Sequence, residues 1–141
     1  MKRRERTRIL IQGSPDLRRD LATEVLDRYD VYTIAEPAQG LVMTSMRETA
    51  RKSRFYLGEL FVTEAKVQVG DQIGLGVIAG DDDRAAYELA VIDAAFNASL
   101  PETERWRKRL EHESRVIAQR ALEEERRVLE TRVSFQTMDV D

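Results

Sequence analysis

The chain reads as an α+β domain: an antiparallel sheet of about four to five strands, N-terminal helices, one buried apolar helix, a long charged C-terminal helix and a terminal strand. Three observations predict it. Strand-like stretches joined by short connections fill the middle third, between Val31 and Ala79. An almost wholly apolar helical stretch follows, from about Arg84 to Ala98. Beyond Pro101, which breaks the chain, the sequence turns Glu/Arg-rich. With 141 residues the chain suits a single domain, 1–141, with a modest core.

The elements follow in order. Glu5 to Gln12 reads as a short helix ended by Gly13. Ser14-Pro15-Asp16 starts a second, because serine caps free amides, proline suits the first helical position and aspartate suits the positive end. Leu17, Leu21 and Val25 form its apolar stripe, with Leu26 beside it. Val31 to Ile34 is a strand, and Glu36 to Gly40 a loop punctuated by proline and glycine. Leu41 to Arg47 is the next strand, Glu48 to Ser53 a polar connection, and Phe55 to Leu57 strand again. From Phe61 the alternation is regular. Phe61, Thr63, Ala65, Val67 and Val69 share one face; Val62, Glu64, Lys66 and Gln68 share the other. Gly70-Asp71 turns the chain. Ile73, Leu75, Val77 and Ala79 then share a face, and Gly74 and Gly76 leave a bare patch on the opposite one, where a backbone, helix or ligand can approach.

Gly80-Asp81-Asp82-Asp83 precedes the apolar helix. A helix apolar on most sides must be covered on most sides, by the sheet and a neighbouring helix or by a partner subunit. Glu102 to about Thr131 reads as one charged helix with Trp106, Leu110, Ile117, Ala121 and Val128 in a narrow stripe. It is either solvated and held by side-chain ion pairs or engaged with another chain. The tail Arg132 to Met138 reads as a strand that needs a sheet edge, which a partner can supply.

Composition narrows the chemistry. The net charge is −3, which does not favour a general nucleic-acid binder. The absence of cysteine excludes disulfides, thiolate ligands and a cysteine nucleophile. A single histidine excludes a His-pair or multi-His metal site within the chain. His112 lies on the charged helix and reads as exposed. The longest apolar run after the basic N-terminus, Ile9-Leu10-Ile11, is too short for a signal-peptide core, and no run is long enough to span a membrane. A cytoplasmic location is expected. The N-terminal Lys2, Arg3, Arg4, Arg6 and Arg8 read as a solvated helix face, against a phosphate- or partner-contacting arm.

The segment from Arg54 to Val67 raises a sharper question, since Gly58-Glu59 puts a bend and a carboxylate into apolar strand sequence. Glu59 and Glu64 are five positions apart and share a strand face only if a bulge intervenes, so a paired-carboxylate site has little support. Asp81-Asp82-Asp83 reads first as a helix cap and second as a magnesium contact through a bound nucleotide. Gly74, Gly76 and Gly80 do not have dinucleotide-fingerprint spacing. Asp93, alone in an apolar helix, is either a core polar link or an interface residue. Arg47, Gly58, Glu59, Thr63, Asp82, Asp93, Arg132 and Phe135 are the candidates for a shared site or interface. No complete catalytic set emerges from the residues.

Several of these blocks, taken in order, resemble the PhnG family of bacterial carbon–phosphorus lyase subunits. They are Gly40-Leu41-Val42 with Arg47; Arg54 to Glu59 with Thr63 and Ala65; Gly74 with Gly80-Asp81-Asp82; Ala86, Ala90 and Ile92-Asp93-Ala94; and Arg132 to Phe135 with Thr137-Met138. The short basic helix at the N-terminus lies outside the pattern. The resemblance implies a subunit acting with PhnH-, PhnI- and PhnL-like partners, the last an ATPase-like protein. Together they displace adenine from ATP with a phosphonate, giving a ribose 1-phosphonate 5-triphosphate whose carbon–phosphorus bond a PhnJ-like radical subunit cleaves. It implies no cofactor bound by this chain alone, with Mg-ATP as substrate of the complex, and a chain inactive by itself. The alternative from another class is a stand-alone small-ligand or nucleotide-binding regulatory protein. A nucleic-acid role, resting only on the N-terminal arginines, is a distant third.

Overall fold

In the computed structural model, which describes residues 1–48 and 53–138 and the side chains outside 46–57 and 135–138, the elements run α1 (Arg3–Gln12), α2 (Pro15–Arg28), β1 (Val31–Glu48), β2 (Ser53–Val69), β3 (Gln72–Ala79), α3 (Asp83–Asn97) and α4 (Glu102–Met138). They group into two compact units. One comprises Met1–Ser14 and Trp106–Asp141, the other Pro15–Arg105.

In the larger unit three strands form one antiparallel sheet in the order β1-β2-β3. Three strands stand where the sequence predicts four to five, because two predicted breaks are strand interior. The expected loop at Glu36–Gly40 lies inside β1. From Thr33 to Ala35 β1 advances two residues while β2 advances one, and from Ala35 to Ala38 it advances three against two. Each surplus residue is absorbed by a bulge. β1 is an edge strand, so the missing amide of Pro37 can be tolerated at a bulge. Likewise Phe55–Leu57 and Phe61–Val69 belong to one strand. Between Thr44/Ser45 on β1 and Gly58/Tyr56 on β2 the surplus residue is on β2, beside Gly58, whose φ is 156°. The bend expected at Gly58 is therefore a bulge.

The inward face of β2 buries Thr63, Ala65, Val67 and Val69, while Phe61 is 45% exposed where β3 ends. On β3 the glycines face the core. A Cβ on Gly76 would collide with Ala86 O and lie 2.6 Å from Ala90 N; one on Gly74 would collide with Ala90 O and Ala94 N. The predicted bare patch thus receives the backbone of α3, which presents Ala86, Ala90 and Ala94 one helical turn apart. Ile73 and Val77, on the other face of β3, are exposed. The far side of α3 meets α2, whose Leu21, Ala22 and Val25 are buried. Leu26, expected beside that stripe, is exposed. The sheet and a neighbouring helix both cover α3.

In the smaller unit Ile9 and Leu10 of α1 and Trp106 and Leu110 of α4 are buried. Glu113 accepts a hydrogen bond from Ser14 N at 2.9 Å and lies against Gly13, where α1 stops. Beyond Ile117 the predicted stripe is exposed: from Ala118 to Ser134 every residue is open, with Leu122, Val128, Leu129 and Val133 between 53% and 66% accessible.

The predicted terminal strand Arg132–Met138 is instead the last part of α4. Extending an existing helix gains a hydrogen bond for each residue fixed. No glycine or proline after Pro101 stops it. The weak helix propensities of Val133 and Thr137 cost only tenths of a kcal/mol each, whereas a strand would need an edge to join. The full helix is about 55 Å long at 1.5 Å per residue.

Candidate functional site

The candidate residues fall into three groups. Thr63, Gly80 and Asp82 form a connected joint between the sheet and α3. Thr63 is fully buried; its hydroxyl donates to Gly80 O at 2.6 Å and accepts from Asp82 N at 3.1 Å. Asp82 then caps α3, its carboxylate accepting from Ala85 N at 3.0 Å. Gln39 of β1 donates to both Asp81 Oδ1 (2.8 Å) and Asp83 Oδ1 (3.0 Å). The aspartate triplet is thereby committed to the helix start and to a strand cross-link, which supplies the capping role expected of it. Among the described residues no group of three or more His, Cys, Asp or Glu is placed to hold a metal ion.

Asp93 is 6% exposed, and its Oδ2 accepts from Leu75 N at 2.9 Å. One turn later Asn97 Nδ2 donates to Ile73 O at 2.7 Å. Two α3 side chains therefore occupy main-chain groups of β3, the strand at one edge of the sheet. Asp93 thus makes the core polar link that was one of the two roles expected for it.

The third group lies away from this joint. Glu59 is exposed on β2 opposite Met43. It shares a face with Thr63, four residues and about 13 Å along the strand. The register between Glu59 and Glu64 is unbroken, so their side chains point to opposite faces and no carboxylate pair forms. Gly58 O accepts from Thr44 Oγ1 at 2.9 Å, which fastens the bulge beside Glu59. Arg47 pairs with Arg54 near the far end of the hairpin, and Phe135 lies on α4; their side chains are outside the described set. Arg132 is exposed on α4.

Two ionic clusters were not anticipated. Glu102, 4% exposed, accepts from Tyr29 OH at 2.9 Å and from Arg28 Nη1 at 3.0 Å. Burial pushes its pKa up, but bonds from its own amide, Tyr29 and Arg28 outweigh that and hold it below the ordinary carboxylate range. The bond to Glu102 is also the main reason the Tyr29 hydroxyl is raised. Glu88 on α3 lies 4.0 Å from Arg18 Nε and 4.0 Å from Arg84 Nε. Desolvation raises its pKa more than the nearby arginines lower it. The available signal was the i, i+4 spacing of Arg84 and Glu88 and a glutamate directly after Pro101. The partners Tyr29 and Arg18 come from distant sequence and were not legible.

Among the described side chains these groups assemble no nucleophile–base pair; one surface depression lies between Glu36, Gln39, Glu64 and Lys66. What the larger unit does present is an arm. β3 ends opposite Val62, with Gly80 N donating to Phe61 O at 2.9 Å. Beyond that point β1 and β2 continue as a two-stranded ribbon to Glu48 and Ser53. Leu41, Val42, Met43, Leu60 and Phe61 are 44–71% exposed on its two faces. A two-stranded hairpin is marginal in water without something to pack on.

The family profile described as "Phosphonate metabolism protein PhnG" matches residues 1–139. The chain belongs to the PhnG family. That membership places it in phosphonate metabolism, as a component of the carbon–phosphorus lyase system. The match takes in the basic helix α1, which the sequence resemblance left out. No match was found among curated proteins. No helix among the described residues is long and apolar enough to cross a membrane.

Proposed function

We propose that this PhnG chain is a non-catalytic or co-catalytic subunit of a cytoplasmic carbon–phosphorus lyase core complex. It works with PhnH-, PhnI- and PhnL-like partners. In their reaction a phosphonate oxygen attacks the anomeric carbon of ATP, the bond from that carbon to adenine breaks, and adenine leaves with a proton. The product is ribose 1-phosphonate 5-triphosphate, the substrate of a PhnJ-like radical subunit.

The displacement passes through an oxocarbenium-like state. It needs cations on the triphosphate and a hydrogen-bonded leaving base. Arg47 and Glu59, on the arm, are this chain's candidates for such a shared site, and Arg132 and Phe135, on α4, are candidates for an interface. Thr63, Asp82 and Asp93 act through position: they fix the sheet to α3 and so aim the base of the arm. The observation that carries the reading is the unfinished surface. Exposed apolar side chains sit along the arm and along α4 from Leu122 to Val133, and patches of this kind mark protein contacts. The single domain, with 102–131 and 132–138 as its partner-engaging segment, belongs to the same proposal.

Glu59→Ala tests it. The side chain is exposed, so the fold should be unaffected while complex assembly or adenine release falls. An assembled complex with unchanged activity would remove Glu59 from the site. A stand-alone regulatory binder, the other reading, requires tight phosphonate or nucleotide binding by the purified chain.

A further inference from the structure

The bulge beside Gly58 decides which residues meet near the far end of the arm. Its surplus residue is Leu57: Thr44 pairs with Gly58, and Ser45 with Tyr56. Were β2 to continue without a surplus residue, Ser45 would pair with Leu57, and Arg47 with Phe55. With the bulge, Arg47 pairs with Arg54. The face changes as well. β1 has no surplus residue here, so Met43, Ser45 and Arg47 fall on one face of the ribbon. Their register partners Glu59, Tyr56 and Arg54 fall on that same face, whereas plain alternation would set Tyr56 and Arg54 opposite to Glu59. The bulge is a built feature. Gly58 has a φ of 156°, which residues with a side chain rarely adopt, and Thr44 Oγ1 donates to Gly58 O at 2.9 Å. Yet its product is costly, because like charges directly opposite one another destabilise a strand pair and a two-stranded ribbon is marginal already. Nothing nearby in the register offsets the cost. Glu59, on the same face, pairs with Met43, four residues and about 13 Å along β1 from Arg47. Glu48, next in sequence, falls on the other face.

We propose that Arg47 and Arg54 are an anion clamp for a polyphosphate chain, which in the reaction proposed above is the triphosphate of ATP. The substrate rests on that reading; the pair itself rests on the register. Bulges next to binding sites serve to re-aim a residue, and here the residue re-aimed is a second arginine. Guanidinium groups bind phosphoryl oxygens in a bidentate fashion and keep their charge at any working pH. A polyphosphate carries charge on each of its phosphoryl groups, so one ligand can engage both arginines and turn their repulsion into attraction. A phosphonate has a single phosphorus centre and suits one arginine better than two.

The test is the binding of inorganic tripolyphosphate to the purified full-length chain, followed by calorimetry. One saturable site per chain is expected. Exchanging the two neighbours (Arg54→Phe with Phe55→Arg) keeps composition and net charge but moves the cation to the other face of the ribbon. Affinity should then fall about tenfold or more, and Arg47→Gln should have a similar effect. Arg4→Gln removes an exposed cation from α1 and should leave the affinity nearly unchanged. In the reconstituted complex, the exchange should raise the KM for ATP about tenfold or more with assembly intact. No saturable binding, binding indifferent to the exchange, or a ligand displaced by methylphosphonate at equal concentration would each overturn the clamp. A parent complex that releases no adenine would remove the proposed function and leave the tripolyphosphate result to decide the clamp.

Discussion

Gly76→Ala should be among the most damaging single-methyl additions in this protein. The added Cβ would collide with Ala86 O and press within 2.6 Å of Ala90 N. Both belong to helix backbone, so no side chain can rotate away and α3 must lift from β3. Overpacking of this kind costs about 1–3 kcal/mol. Lifting α3 also loosens the Asp93–Leu75 and Asn97–Ile73 bonds, each worth about 1 kcal/mol net. Against this, replacing glycine in a strand lowers the entropy of the unfolded chain and returns about 0.4–1 kcal/mol. The balance is a loss of about 2–4 kcal/mol. With about 3 °C per kcal/mol at this chain length, the midpoint of thermal unfolding should fall by about 6–12 °C. Gly40→Ala is the control, because a Cβ there meets nothing within 4 Å and should change the midpoint little or raise it. Circular dichroism melts of the three proteins suffice. A Gly76→Ala variant as stable as the parent would refute the close helix-on-glycine packing.

Further outcomes follow from the same contacts. Thr63→Val keeps the shape but strands Gly80 O and Asp82 N; a loss of about 2–3 kcal/mol is expected in urea unfolding, and a neutral result would dissolve the sheet–α3 joint. Ser99, just past the Ala98 cap of α3, has a φ of 52°, a region costly for residues with a Cβ, so Ser99→Gly should stabilise by about 1 kcal/mol. The depressed pKa of Glu102 contributes stability above the unfolded value of 4.5, and that stability is lost as pH falls below it. Glu102→Gln should therefore be less stable than the parent at pH 7, with the gap closing under more acidic conditions; a pH-independent gap would contradict the assignment. Among the described side chains, removal of everything after Thr131 deletes only the exposed Arg132, Val133 and Ser134, so melting should be unchanged while capture of a PhnI-like partner weakens.

The parts of the fold legible in the sequence were those set by local periodicity. Pro15 at the start of α2, the alternation from Phe61 to Val69 and the apolar run of α3 each reported their element directly. The glycine face of β3 was legible too, because only a close neighbour explains two glycines on one face. Strand continuity was not. Pro37 and Gly40 look like loop residues, but a bulge on the edge strand β1 absorbs Pro37 and Gly40 lies in regular register opposite Val62. The tail misled for a related reason: Val133, Phe135 and Thr137 favour strands, but propagation of α4 decides. Of the candidate site, Asp82 as a cap was legible from its place before a helix. The Thr63 hydroxyl bridge was not, since its partners lie 17 and 19 residues away. Glu59 stood out as a carboxylate in apolar strand sequence and Arg47 only through the resemblance; the geometry puts Glu59 on the arm and the Arg47 main chain near its far end.

The central claim is that this PhnG chain acts only within its complex. Adenine release from Mg-ATP and a simple phosphonate such as methylphosphonate, measured for the chain alone, for the PhnH-, PhnI- and PhnL-like partners alone, and for all of them together, tests it most directly. Release is expected only when the chain and its partners are combined. Turnover by the isolated chain, or full turnover by the partners without it, would contradict the claim.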